Sequence, residues 1–417
     1  MKSVDVIIIG GGSAGMVAAI SCYDSGIKDI LIIEKNDYLG GILNQCIHNG
    51  FGLTEFKEEL TGPEFMSRFS SQIKQRKIPY CLNSFVLEIT REKVVSYVNP
   101  IDGYVQVRAK AIIVATGCYE RSAGAIAIPG SRPSGVITAG NAQLYLNIYG
   151  YLVGKRVFIL GSGDIGLIMA RRLTLEGATV LGVAELMPYS NGLNRNIVQC
   201  LNDYHIPLYL SHTVSRIIGK NHVEAIEISQ VDSSFKVIPG SEKRFDVDTL
   251  LLSVGLIPNS NLLSNIDIPL SSTRGVKVDE YMQSESDGIF SCGNVLHVHD
   301  LVDYVVREAR LAGQGASLYV RGLLAKMNRY ITCVNGNDIA YVVPQRVHLD
   351  SLFDTEFKFR VRKPLRNQVI AFYLNDKLIK KVMKLAIIPS EMEIVKIDRS
   401  LLNQEGVLRI EMEDMVK

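Results

Sequence analysis

The apolar residues of this chain gather first into short runs with almost no polar interruption. VDVIIIG (4–10), DILIIE (29–34), KAIIVATG (110–117), KRVFILG (155–161), TVLGVAE (179–185) and GIFSCGN (288–294) are of this kind. Runs of that length, rich in β-branched residues, predict strands covered on both faces, as in a parallel sheet flanked by helices. Between them the apolar spacing lengthens to a helical period. MVAAISCYDSG predicts a helix ending at Gly26, DIGLIMARRLTLEGA one ending at Gly177, and DLVDYVVREARLAGQGASLYV one beginning near Asp300. HIPLYLSHTVSRIIGKNHVEAIEISQV reads as alternating strands that would complete the second sheet. From about Tyr330 the texture changes: YVVPQRVHL, EFKFRVRKP and GVLRIEMED alternate polar with apolar between turns, and no long helix fits. A small all-β tail of sandwich type is expected there, with the lysine-rich KLIKKVMK as an exposed edge.

The joints between these elements carry chemistry. Gly10-x-Gly12-x-x-Gly15 joins the first strand to the first helix, and Glu34 ends the next strand. Gly161-x-Gly163-x-x-Gly166 and Glu185 repeat the arrangement at the same interval. Such a turn lets backbone approach a pyrophosphate, and the helix that follows offers uncapped N–H groups and a partial positive charge. Its first residues, Ala14 in one copy and Asp164 and Ile165 in the other, belong to that cradle. The acidic residue can accept a hydrogen bond from a ribose hydroxyl. With strand, helix and carboxylate all present, the fingerprint is far more specific than its glycines alone. The fold class expected is α/β, with two Rossmann-like dinucleotide-binding domains and the small C-terminal β domain. Two dinucleotides on one chain imply hydride exchange between a nicotinamide and a flavin. Glu185, with no arginine in Leu186–Tyr189, selects NAD over NADP, because a carboxylate repels a 2′-phosphate.

A length of 417 residues suits two or three domains, and a formal charge of +2 gives no footing for nucleic acid. The seven cysteines are scattered, odd in number and never spaced Cys-x-x-Cys. A reducing cytoplasm follows more readily than a disulfide framework, and no zinc or iron–sulfur ligand set is visible. The uncharged stretch between Asp5 and Asp24 approaches a membrane span in length. Its glycines argue against a bilayer helix, and no signal-peptide cleavage pattern accompanies it. A soluble chain is expected, with any membrane association arising through partners.

KAIIVATG, GIFSCGN and the helix after it resemble the two-dinucleotide flavoproteins of the pyridine nucleotide–disulfide oxidoreductase class. The resemblance implies FAD at the first fingerprint and an NAD domain inserted into the FAD domain. It implies that Ala115, Thr116 and Gly117 close the first part of the FAD domain, and that Gly255 and Pro258 mark re-entry into it. Gly293 and Asn294 stand where the class usually carries Gly-Asp to hold the ribityl chain, and the helix from Asp300 would point its N-terminus at the flavin ring. The boundaries expected are 1–120 and 249–327 for FAD, 121–248 for NAD with its connector, and 328–417 for the tail. GGILNQCIHNGFG, GCYERSAGAIAIPGSRPSGVITAGNAQ and CGNVLHVHDLVDYV narrow the likeness. They resemble flavoprotein subunits of dye-linked proline dehydrogenase, opine oxidase and hydrogen cyanide synthase, and most of all the oxidoreductase encoded beside bacterial glycerol-3-phosphate dehydrogenase.

That branch implies electron relay between NAD and a partner flavoprotein dehydrogenase subunit, with a small cysteine-containing protein as a further partner. The competing reading is a self-sufficient NADH oxidase or NADH:quinone or dye reductase. A scaffold with vestigial sites is disfavoured by two intact fingerprints. Disulfide reduction needs a resolving thiol, and Cys46, after Gly40 and Gly41, has none nearby in sequence. Cys46 is either a thiol beside the flavin or a buried structural residue. His48 in the same stretch and His299, with His297, could hold the flavin's edge or deliver a proton; capping or lining the helix start is the plainer alternative. Arg121 either meets a phosphate, bridges the domains or lies on the surface.

Overall fold

A computed structural model describes residues 2–324 and 329–415. The boundary expected between 327 and 328 lies outside the described residues. The chain opens with strand β1 (Lys2–Ile9), helix α1 (Ser13–Asp24), strand β2 (Ile30–Ile33) and the long strand β3 (Gly103–Val114). The three strands run parallel, with Ile8 opposite Ile32 on one side and Ile113 on the other. Ile7, Ile8, Ile32, Ile112 and Ile113 are fully buried, so the runs are apolar at every position because both sheet faces are covered. Tyr80–Cys81 extends one edge, and the antiparallel strands 94–99 and 85–89 extend the other.

Tyr119–Ile257 forms a second compact unit. Its sheet holds β4 (Val136–Thr138), β5 (Arg156–Leu160), β6 (Thr179–Glu185), β7 (Leu208–Leu210) and β8 (Thr249–Leu252), with helix α2 (Asp164–Leu175) after β5. The order is β7-β6-β5-β8-β4, all parallel. Two expectations are corrected here. Of the segment expected to complete this sheet only Leu208–Leu210 does so; strands 212–218, 225–230 and 243–246 make a separate antiparallel one. Short alternating strands carry no mark of which sheet they join, and here Val214, Ile217, Ile226 and Ile228 pack into a core of their own with Phe158 and Leu250. Residues 249–257, assigned above to the FAD domain, stay in the second unit: Leu250, Leu251 and Leu252 are buried between β5 and β4.

The first unit then resumes at Pro258. Strand β9 (Ile289–Ser291) pairs with the end of β3, Phe290 opposite Ile113. Helix α3 (Val302–Val320) lies close along α1, where any side chain at Gly313 would strike the Ala18 carbonyl. The tail forms a five-stranded and a three-stranded sheet that share a core including Ile331, Phe357, Phe372, Ile397 and Ile410. Strand β10 (Thr355–Val361) is central in the smaller sheet, and β11 (Lys377–Ile387) is an edge of the larger. The tail clusters with the first dinucleotide fold in one compact unit rather than as a third. The architecture is α/β with two Rossmann-like sheets and an added C-terminal β domain.

Candidate functional site

The first glycine turn is a set of backbone approaches that side chains would block. A Cβ at Gly15 would collide with the Gly10 carbonyl oxygen, so α1 can meet the end of β1 only with glycine there. Gly10, at φ 102°, lies against the Ala115 carbonyl, which brings the turn after β1 onto the turn after β3. Gly12 sits beside Gly41, and Gly40 donates its N–H to Gly11 at 2.9 Å. A Cβ on Gly293 would lie 2.9 Å from the Ala14 methyl. Thr116 Oγ1 donates to the Asn259 carbonyl at 2.8 Å, and Asn259 N–H to Gly117 at 2.9 Å. Gly10, Gly12, Ala14, Gly15, Gly41, Ala115 and Gly293 therefore converge on the N-terminus of α1, whose N-cap, Gly12, has no side chain to satisfy the first amides.

Glu34 stands behind this turn. Its Oε2 accepts Gly11 N–H at 2.6 Å and its Oε1 accepts Asn36 N–H at 2.8 Å. The second unit repeats the device. Glu185 Oε2 accepts Ser162 N–H at 2.9 Å and its Oε1 accepts Met187 N–H at 2.9 Å. Each carboxylate thus ties a glycine turn to the end of the neighbouring strand. In the second copy, Ser253 takes the place that Ala115 has in the first: its carbonyl bars any side chain at Gly161, and its Oγ accepts Gly166 N–H at 3.1 Å. Gly163 caps α2 without a side chain, and Ile165 is partly buried behind it. Asp164 Oδ1 accepts from Leu193 N–H at 2.8 Å and Asn196 Nδ2 at 2.7 Å, which fixes the loop after β6. Ser162 and Ser253 escaped the sequence reading; the serine in place of the middle glycine of GGG was the available signal. Gly255, at φ 99°, accepts the Arg121 N–H at 3.1 Å, and Arg121 is exposed.

The expected catalytic residues are less uniform. Cys46 is buried, and desolvation pushes its thiol up to about 12, so it carries no thiolate at neutral pH. This favours the structural alternative. His48 packs its ring against Phe51 at 5.1 Å. His299 faces inward: its N–H and Nδ1 lie 3.0 and 3.1 Å from Asn294 Oδ1, and its Nε2 lies 3.5 Å from Glu308 Oε2. His297 Nε2 is 3.1 Å from the same oxygen, and its Nδ1 is 3.3 Å from the Tyr341 hydroxyl. Burial, then the neighbouring His299, lowers His297 to about 4. Asp300 is engaged by the tail, with Arg360 at 3.2 Å and Met392 N–H at 3.2 Å.

Glu308 on α3 is the centre of this group and was not anticipated. Its Oε1 accepts Gly293 N–H at 2.7 Å, while Lys358 Nζ on β10 lies 2.7 Å from its Oε2. Burial pulls this carboxyl upward, but Lys358, His299 and His297 together hold it well below the ordinary carboxylate range. His297, His299 and Glu308 have the donor types of a metal site and lie close enough together. The Lys358 ammonium already neutralises the carboxylate, which is the task a cation would have.

The model of the family "Pyridine nucleotide-disulphide oxidoreductase" matches residues 4–315. The chain belongs to that family. It is an FAD-dependent oxidoreductase of pyridine nucleotides, and the cofactors of the family are FAD and NAD(P)H. Among curated proteins it is similar to the small chain of glutamate synthase [NADPH] from Halomonas elongata, 26% identical over 342 residues, 76% of this chain and 68% of that one. Among solved structures it resembles thioredoxin reductase from T. acidophilum, with a TM-score of 0.61 and 22% identity, covering 77% of this chain and 98% of that one. L-proline dehydrogenase from P. horikoshii gives a TM-score of 0.52 and 20% identity over 77% of this chain and 58% of that one. At these identities the structural likenesses establish the shared fold. No helix among the described residues is long and apolar enough to cross a membrane.

Proposed function

We propose that this oxidoreductase exchanges hydride with NAD(H) at the second fingerprint and relays electrons, through FAD at the first, to or from a partner dehydrogenase subunit. The observation that carries the reading is the pair of identically stapled glycine turns, on a sequence in which no two cysteines are spaced Cys-x-x-Cys. FAD supplies two-electron chemistry on the nicotinamide side and an exit for electrons on the other. Gly10, Gly12, Gly15 and the α1 amides would hold its pyrophosphate, with Glu34, Gly41, Ala115, Thr116, Gly117, Gly293, Asn294 and Asp300 around the rest. Gly161, Gly163, Asp164, Ile165, Gly166 and Glu185 would hold the nicotinamide nucleotide, with Gly255 two residues beyond the Ser253 that packs on this turn.

Two further supports bear on the relay. A thiol raised like Cys46 cannot attack a disulfide at neutral pH, so electrons need another exit. A relative in the same family carries the name of a small chain, that is, one subunit of a larger enzyme. The partner we infer acts on glycerol 3-phosphate or an amino acid, and a small cysteine-containing protein would complete the set. NAD is preferred over NADP here because Glu185 closes the second fingerprint, even though the glutamate synthase relative is named for NADPH. A reducing cytoplasm suits seven cysteines with no disulfide.

The test is to isolate the chain from its native cell with its companions, measure bound flavin, and follow flavin bleaching by NADH and NADPH. Slow oxidation of NADH by the isolated chain, accelerated by a co-purified dehydrogenase subunit, supports the relay. Rapid turnover of the chain alone with oxygen or a quinone would replace it with the self-sufficient oxidase reading.

A further inference from the structure

We propose that the C-terminal β domain positions the flavin site, and that Lys358 is the positioning residue through which it acts. The proposal rests on the reading of Gly293 and Asn294 as part of that site. Lys358 stands between Phe357 and Phe359 on β10. The two phenylalanines belong to the core of the tail, so Lys358, one residue out of phase, leaves by the opposite face of the sheet. There its ammonium is buried and reaches Glu308 at 2.7 Å, both side chains at 2% exposure or less. A buried ammonium without a partner costs several kcal/mol, so this contact is a fixed point of the fold.

What it fixes is the turn. Glu308 holds Lys358 with one oxygen and Gly293 N–H with the other, so a shift of the ammonium moves the carboxylate and the turn amide together. Every polar side chain from 293 to 300 is tied to the same frame. His297 meets Glu308 and Tyr341; His299 holds Asn294 Oδ1, with its Nε2 3.5 Å from Glu308 but not hydrogen-bonded to it; Asp300 is paired with Arg360. Arg360 also donates to the Val298 carbonyl at 3.2 Å. With its oxygen occupied by His299, Asn294 keeps only its NH2 to offer, and this points at Cys118 Sγ, 3.7 Å away beside the Ala115–Gly117 turn. The tail therefore supplies Tyr341, Lys358 and Arg360 to a segment that the dinucleotide fold alone would leave with an uncompensated buried carboxylate.

The experiment uses the full chain and compares wild type with Lys358→Arg, Lys358→Met, and Lys358→Met combined with Glu308→Gln. FAD is removed and re-added, and its dissociation constant and the visible circular dichroism of the bound flavin are read. Lys358→Met is expected to weaken FAD at least tenfold and to alter the flavin spectrum. The double variant, which has no unpaired buried charge, should fold but keep the altered spectrum, and Lys358→Arg should stay near wild type. Should the double variant, or a folded Lys358→Met, bind FAD with wild-type affinity and spectrum, the proposal is overturned even if thermal stability has dropped. A wild-type chain that takes up no FAD would overturn the reading of the site itself, and the positioning role with it.

Discussion

The carboxylates at the strand ends serve two purposes at the scale of single residues. Glu34 and Glu185 satisfy buried turn amides, at Gly11 and Asn36 in one case and at Ser162 and Met187 in the other. Each oxygen already accepts one backbone hydrogen bond, and each carboxylate has lone pairs left for a sugar hydroxyl. Ser162 Oγ adds a third bond to Glu185 at 2.6 Å. Replacing Glu185 with Ala would strand those donors at a cost of about 1–3 kcal/mol. The near-isosteric change Glu185→Gln keeps the shape and one acceptor oxygen, sets its NH2 against one of the backbone N–H groups, and removes the charge that repels a 2′-phosphate. It is expected to raise kcat/KM for NADPH relative to NADH by about tenfold, the equivalent of about 1.4 kcal/mol, with FAD content unaltered. Steady-state kinetics with both nucleotides check this, and an unchanged ratio would show that nucleotide choice lies elsewhere.

At the scale of elements, helix α3 is where a charge enters the core. Val305, Val306, Ala309, Ala312 and Ala316 line its buried face, and Glu308 sits among them. A carboxylate on an apolar face was visible in the sequence as an anomaly, whereas its partner was not: within β10, Lys358 occupies the phase that alternation assigns to solvent. That phase faces the dinucleotide fold instead, and one chain read by periodicity does not reveal a second covered face. The strands of the parallel sheets were legible because burial on both faces leaves a continuous apolar run. The antiparallel sheet of 212–246 was misplaced because short alternating strands look alike wherever they pair. The buried His297 gives this element a pH response. It is enclosed by Glu308, His299, Lys358 and Tyr341, and its pKa is about 4 against an ordinary 6.5. A histidine depressed on folding binds its proton more readily when unfolded, so its contribution is complete above pH 6.5 and is lost as the pH falls toward 4. The loss approaches about 1.4 kcal/mol per pH unit for one proton. Urea unfolding at pH 7.5, 6 and 5 should show wild type weakening faster than His297→Gln across this range; parallel curves would contradict the buried neutral imidazole.

At the scale of the whole molecule, the chain crosses between its two compact units twice, after Cys118 and after Ile257. Each unit encloses its own apolar clusters: Ile7, Ile113 and Phe290 in the first, and Val157, Ile159, Leu167 and Leu251 in the second. Each also holds one complete fingerprint with its carboxylate. Stability and ligand response should therefore be divisible in a way that a single shared core would not allow. A ligand that binds only the folded form of one unit stabilises that unit by RT ln(1 + [L]/Kd), about 2.7 kcal/mol at a hundredfold excess over Kd. For units of this size that corresponds to a shift of several degrees. Calorimetry of the FAD-stripped chain is expected to show two transitions, with FAD raising the one that includes the tail and NADH raising the other. The tail should melt with the FAD transition because Lys358 and Glu308 neutralise each other only while both elements are folded. Limited proteolysis across the transitions assigns them. A single transition that both ligands raise equally would mean that the units unfold together and that the fingerprints, though built alike, are not energetically separate.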